Sequence, residues 1–232
     1  MSSVYFTLLD VTDDFVVIHK YPGISVHKDT QEAGLTMQLS QALGYPVYLV
    51  HRLDKVTSGV MVFARSSEAA AQLSAAFAKR DVQKFYLAIS DNKPSKKQGS
   101  IIGDMVKARR GAWKLQKSHV NPAITRFVST SVTAGIRLFL LKPETGKTHQ
   151  LRVALKSVGA PILGDQTYGG SPADRTYLHA WQLHFPYQNQ MYRYCADPLQ
   201  GAQFVNETIT PLLAPWRSAH LLSWPGRKQE TL

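Results

Sequence analysis

Apolar positions along the chain fall into short β-rich runs separated by stretches of helical period. Phe15–Lys20 is rich in β-formers and alternates little, which predicts a strand. Tyr21-Pro-Gly then turns the chain, and Ile24–His27 resumes extended structure. Gly34–Leu43 predicts a short helix ending at Gly44, followed by a brief strand at Tyr48–Val50. Ser58–Ala64 is apolar and reads as a strand. Ser66 or Ser67 is placed to cap a helix running to Lys79, with Ala70, Leu73, Ala76 and Phe77 on one face. Lys84–Ser90, Ile124–Thr130, Ile136–Leu141 and Tyr177–Phe185 also read as strands.

The clearest amphipathic helix is Thr148–Val158. Leu151, Ala154, Leu155 and Val158 recur at i, i+3, i+4 and i+7; Gly159 stops the helix and Pro161 follows. The same register puts His149, Arg152 and Lys156 on a polar face. Beyond about Pro186, Gln, Asn and Pro are enriched and the chain reads as irregular. Strands and helices mix without strict βαβ alternation, and neither a repeat nor a linker divides them. One α+β domain is expected over 1–232, with a core of about 15–186 and a C-terminal extension, 187–232, that carries no functional reading.

Composition narrows the class. The chain has 232 residues, 44% of them hydrophobic and 19% charged, enough for a sizeable core. Its single cysteine, Cys195, excludes an intramolecular disulfide framework and a cysteine zinc cluster, and is expected to be a bland buried or loop thiol. Apolar runs fall well short of the roughly 18 residues of a membrane span. The N-terminus lacks the basic start and apolar stretch of a secretory signal, so a cytoplasmic setting is expected. The net charge of +11 points to a polyanionic partner. That charge is concentrated: between Lys93 and His119 stand eight Lys and Arg residues, Lys107, Arg109 and Arg110 among them, against Asp104 alone. Gly99, Gly103 and Gly111 punctuate this stretch. It reads as a flexible basic hairpin that tracks a phosphate backbone, with Trp113 placed to stack on a base. The plainer alternative is a solvated loop.

Three clusters carry candidate chemistry. In His51-Arg-Leu-Asp54-Lys-Val-Thr57-Ser58-Gly59, one carboxylate sits among His, Arg and Lys, which favours its ionised form. An ionised Asp54 can act as nucleophile or general base, or simply form a turn ion pair. In Lys142–Arg152, Gly146-Lys147-Thr148 hints at a phosphate-binding loop, but the required glycine five residues earlier is Leu141, and the Walker reading fails. There remains a glycine turn opening a helix, with Thr145 or Thr148 as cap and Arg152 one turn in, suited to bind an anion or brace a carboxylate. The third cluster is the glycine-bounded loop Gly164-Asp165-Gln-Thr-Tyr168-Gly-Gly170, either an approach for a ligand or a turn. His149, His179 and His184 lack metal-ligand spacing, so no metal site is expected. His19 and His27 read as strand or surface residues.

Together these blocks resemble the RluA-type RNA pseudouridine synthases. His51-Arg-Leu-Asp54 with Thr57-Ser58-Gly59 resembles the family's catalytic signature. His19-Lys20-Tyr21-Pro22-Gly23 resembles its first block, with one residue out of step. Lys84-Phe-Tyr86-Leu-Ala88 resembles the block of the active-site tyrosine. Thr145–Arg152 with Gly159–Asp165 and Tyr168-Gly169 resembles a third, and Leu178-His-Ala180 the closing block. The resemblance covers about Phe15 to Phe185. It implies a pseudouridine synthase fold: a central mixed, largely antiparallel sheet with flanking helices and a catalytic cleft. Two positions depart from the pattern: Lys147 stands where arginine is usual, and Ala154 where histidine is usual. The first keeps charge but loses bidentate geometry, and the second is expected to alter the substrate surface.

The resemblance implies isomerisation of a uridine in rRNA or tRNA, with the nucleotide flipped out of its stack. The uracil N1–C1′ bond is broken and the base rejoined through C5, with no redox change and no cofactor. Asp54 would be the catalytic carboxylate, attacking C1′, attacking C6, or abstracting a C2′ proton. Arg152 would pair with Asp54, and Tyr86 would stack on the uracil and assist loss of the C5 proton. Arg52 would fill the vacated space or hold a phosphate, and Leu151 would wall the pocket or serve as plain core. His149 and Lys147 are assigned to substrate binding. Two rivals remain: an idle RNA-binding module that keeps the fold, and a nucleosidase using Asp165 as a second carboxylate. With Phe15–His27 already in the catalytic block, no separate N-terminal RNA-binding module is expected. The protein would act as a monomer, away from membranes, with Lys107, Arg109 and Arg110 as its RNA-docking arm.

Overall fold

The computed structural model describes residues 3–26 and 34–226 of the chain. Strands are β1 (Phe6–Val11), β2 (Phe15–Lys20), β3 (Tyr48–Leu49), β4 (Ser58–Ala64), β5 (Gln83–Ser90), β6 (Gln98–Lys107), β7 (Trp113–Gln116), β8 (Pro122–Thr133), β9 (Ile136–Pro143), β10 (Leu178–Tyr187) and β11 (Gln190–Cys195). Helices are α1 (Leu35–Leu43), α2 (Ser67–Lys79), α3 (Gln150–Ser157) and α4 (Ile209–Leu213). The expected α+β class holds. Chain contacts divide it into two units. The first takes the residues through Lys84 with His179–Gln200, the second Phe85–Leu178 and the residues from Gly201.

In the first unit the strand order is β1-β2-β4-β10, with β3 added to β4 and β11 to β10. β2 runs antiparallel to β4, whereas β10 meets β4 in parallel at His179↔Ser58 and Ala180↔Gly59, so the sheet is mixed. β2 and β4 are buried at every position. Their unbroken apolar runs are the signature of strands covered on both faces. Ser66 caps α2 by accepting the Ala69 N–H, and Ala69, Leu73 and Ala76 pack with Phe15, Val17, Val60 and Val62. Phe15 meets Phe185, Tyr187 and Tyr192 edge-on, with centroids 5.0–5.6 Å apart.

In the second unit β5-β9-β8-β6-β7 form an antiparallel meander with one long return. α3 packs on β7, β8 and β9. The basic stretch is a hairpin, β6 paired with β7 from Asp104↔Gln116 to Lys107↔Trp113. Arg109–Gly111 form its tip, where Arg110 is left-handed (φ 56°).

Three expectations change. The chain past Pro186 is structured: β10 and β11 pair from Gln182↔Cys195 to Tyr187↔Gln190. Further on, Trp224 stacks near Phe85 (5.9 Å), and the Pro225 carbonyl accepts from Arg126 and Ser100. Cys195 is exposed at the end of an edge strand. Ile24–Val26 join no ladder, and His27 lies outside the described residues.

Candidate active site

The Asp54 loop belongs to the first unit and is held at four places. His51 Nε2 accepts the Val62 N–H at 3.1 Å, and its ring stacks on Phe77 at 4.5 Å. Burial, helped by the Lys84 charge, lowers its pKa from the usual 6.5 to about 3. His51 is therefore a neutral acceptor, not one of the cations expected around Asp54. Leu53 is buried and pins the middle of the loop. Arg52 and Lys55 are exposed, and Asp54 between them is half-buried. The Thr57 N–H donates to the Asp54 carbonyl (3.0 Å).

Lys20 is fully buried and supplies the third hold. Its Nζ donates to the carbonyls of Tyr21 (2.9 Å), Ile24 (2.8 Å) and Lys55 (3.2 Å). The Lys55 carbonyl also accepts the Gly23 N–H. A buried ammonium is tolerated where it is hydrogen-bonded, and here it ties the Tyr21–Ile24 turn to the residue after Asp54. The fourth hold is Ser58. His179 Nε2 lies 2.7 Å from the Ala196 carbonyl, which can only accept, so Nε2 carries the proton. In the neutral ring Nδ1 then accepts the Ser58 hydroxyl, also at 2.7 Å. Gly59 follows because β10 approaches closely: a Cβ there would lie 2.1 Å from the Ala180 carbonyl oxygen, at φ 117°.

The other predicted residues stand in the second unit. Tyr86 is partly exposed on β5, opposite Leu141 of β9, between buried Phe85 and Leu87. Leu151 and Ala154 are buried in α3, so the Ala154 departure lies in packing and not on an exposed surface. Neither Thr145 nor Thr148 caps α3. His149 is the N-cap, left-handed at φ 57°, with no side-chain cap bond. Thr145 Oγ1 instead accepts the Ile124 N–H and donates to Gln150 Oε1, which also accepts the Lys147 N–H. Gln150 Nε2 donates to the Ile124 carbonyl and to Thr125 Oγ1. A buried glutamine thus shapes the Gly146-Lys147-Thr148 turn.

Arg152 does not lie on an open polar face. It is 5% exposed, and Nε and Nη2 donate to the two carboxylate oxygens of Asp165 at 2.7 and 2.8 Å. Its guanidinium lies 4.9 Å from the centre of the Tyr168 ring. Asp165 is 1% exposed and committed to this bidentate pair, which removes it as a second, substrate-facing carboxylate. The glycine-bounded loop is a close turn: a Cβ at Gly164 or Gly170 would lie 1.9 Å from the carbonyl oxygen of Arg175 or Ile162. At both glycines the loop approaches its own chain. Lys107, Arg109 and Arg110 are exposed at the hairpin tip, and Trp113 is half-buried at the start of β7.

Lys20, Asp165, Tyr168 and His179 stand in blocks that the sequence singles out, but their holding roles, and that of Gln150, were not legible there. Their signal was present as polar residues inside otherwise apolar or glycine-rich segments, but each also takes a partner outside its own segment: Lys55 for Lys20, Ile124 for Gln150, Arg152 for Asp165, Trp113 for Tyr168 and Ala196 for His179.

Comparison with known proteins accounts for these blocks. A family model described as RNA pseudouridylate synthase matches residues 14–157. The chain is 55% identical over 199 residues to an uncharacterized RNA pseudouridine synthase of Haemophilus influenzae, covering 84% of this chain and 89% of that protein. It is 35% identical over 205 residues to the tRNA pseudouridine synthase C of Vibrio vulnificus, covering 76% and 84%. Against the ribosomal large subunit pseudouridine synthase C of Rickettsia conorii it is 33% identical over 172 residues, 70% of this chain but 56% of that protein. Among solved structures it is similar to Human RNA Pseudouridylate Synthase Domain Containing 1, with a TM-score of 0.72 at 26% identity over 85% and 86% of the two chains. The chain belongs to the RNA pseudouridylate synthase family, whose members are isomerases.

Proposed function

We propose that the protein converts a uridine in a structured loop of ribosomal or transfer RNA to pseudouridine, with Asp54 as the catalytic carboxylate. The observation that carries this reading is that Asp54, Tyr86 and Arg152 all fall within the matched residues 14–157. The base is flipped from its stack, which costs least in a loop. The N1–C1′ bond breaks, the uracil turns, and a C5–C1′ bond forms; C5 then gives up its proton to solvent while N1 gains one. Atoms balance without an oxidant, and no cofactor is invoked. Tyr86 stacks on the uracil and assists loss of the C5 proton, and Arg152 serves as the cation for Asp54. Leu151, Arg52, Lys147 and His149 contribute to substrate binding. The exposed bases of the β6–β7 hairpin gather the RNA. The protein works as a monomer in the cytoplasm, with residues 1–232 as one catalytic domain.

The test is tritium release from RNA carrying 5-tritiated uridine. Asp54→Asn is expected to abolish release, by at least 1,000-fold, while RNA affinity stays within about threefold of wild type. Near-normal turnover by this variant would remove Asp54 from the chemistry. Free uracil among the wild-type products would point instead to a nucleosidase.

A further inference from the structure

We infer that Tyr168 is a positioning residue that anchors the basic hairpin to the helix of Arg152, an inference that rests on the proposed RNA reading for its functional consequence. Three contacts meet on this one buried side chain, which is 2% exposed. Its hydroxyl oxygen accepts the Trp113 N–H at 3.0 Å. The same oxygen shares a 2.7 Å hydrogen bond with His149 Nδ1. Its ring carries the Arg152 guanidinium, 4.9 Å from the centroid.

Each contact answers a local need. β7 ends the strand order of its unit, so its outer N–H groups have no neighbouring strand to accept them. Trp113 opens β7, directly opposite Lys107 and after the tip that carries Arg109 and Arg110. Capping its N–H therefore fixes where the basic tip points. His149 is a left-handed N-cap, a conformation that strains a non-glycine residue and needs an outside hold. Arg152 lies one turn further along the same helix. Lys156, another turn on, donates to the Tyr168 carbonyl at 2.9 Å, so the backbone of Tyr168 is also tied to α3. The hydroxyl thus serves the hairpin and the N-cap, and the ring serves Arg152.

The two parts separate by mutation. Tyr168→Phe removes the hydroxyl and keeps the ring; Tyr168→Leu removes both. Amide hydrogen exchange without RNA reads the anchor directly: the Trp113 amide is expected to exchange at least tenfold faster in Tyr168→Phe, with β8 and β9 of the same unit unchanged as proof of folding. In turnover assays Tyr168→Phe is expected to raise KM for RNA about tenfold with kcat within about twofold. Tyr168→Leu is expected to lower kcat as well, by tenfold or more. Unchanged Trp113 exchange in Tyr168→Phe overturns the anchor. Faster exchange with unchanged KM overturns its role in substrate docking. Absence of isomerisation by the wild-type protein would instead defeat the proposed function, and leaves the exchange result standing by itself.

Discussion

Arg152 illustrates what a single residue owes to its surroundings. Helical phase places it with His149 and Lys156, and a side chain so placed is ordinarily solvated. Here it is buried, because Asp165 takes two of its N–H groups and Tyr168 its face. Phase gives direction from a helix axis but not what stands there, and Asp165 lies thirteen residues away, in a loop whose path depends on Gly164 and Gly170. Removing Asp165 strips the buried guanidinium of both hydrogen bonds of this bidentate pair. Asp165→Ala is therefore expected to lower unfolding free energy by about 3–5 kcal/mol, measured by urea denaturation. Asp165→Asn, which retains an acceptor, is expected to cost less. Equal, small losses for both would mean that Arg152 finds solvent or another acceptor without Asp165.

At the scale of elements, apolar pattern predicted strands and helices well where burial is continuous. β4 runs Ser58–Ala64 and α2 ends at Lys79 as the pattern indicates, because both are defined by side chains meeting one core. Pattern found β10 but failed for β11, which follows it through a tight turn. Their turn puts Gln188 and Asn189 at φ 46° and 62°, a geometry for which Asn is a usual residue and Gln is not. The polar residues of β11 alternate with Tyr192 and Tyr194, which pack against Phe15 and Phe185. That half-buried alternation was diluted by the surrounding Gln and Asn. The basic stretch, in contrast, was legible as a hairpin from its glycines and charge. If its tip holds phosphates, replacing Lys107, Arg109 and Arg110 with Gln is expected to weaken RNA binding. The slope of log affinity against log salt should fall in magnitude by about 2–3, given roughly 0.7–0.9 per phosphate contact. An unchanged slope, read by filter binding from low to moderate salt, would reduce the hairpin to a solvated loop.

At the scale of the whole molecule, net charge and stability answer to different residues. Most of the +11 is carried by exposed side chains and bears on partners more than on fold. His51 bears on stability. Its pKa lies near 3 in the folded chain and near 6.5 when unfolded, so between these values the unfolded state binds the extra proton. Its contribution is complete above pH 6.5 and is lost as pH falls toward 3. His51→Gln keeps an acceptor for the Val62 N–H and does not titrate. Urea unfolding from pH 7 to pH 4 is expected to show a pH dependence steeper in wild type than in this variant, by about one proton at its greatest. Parallel curves would mean that His51 is protonated in the folded state. Among the described residues, no helix is long and apolar enough to cross a membrane.

The sequence by itself determined the α+β class, most strand and helix positions, and the blocks that place the chain among RNA pseudouridylate synthases. These properties follow from local periodicity and from short runs of residues whose order along the chain is their signal. Tertiary structure alone decided that His51 is a neutral acceptor and that Lys20 clasps three carbonyls. It also decided that Asp165 and Tyr168 hold Arg152, and that the segment after Pro186 folds back onto earlier strands. Each of these depends on partners brought together by the fold across gaps of up to well over a hundred residues. Burial, which sets their charge state and bonding, is a property of the packed chain and not of any window along it.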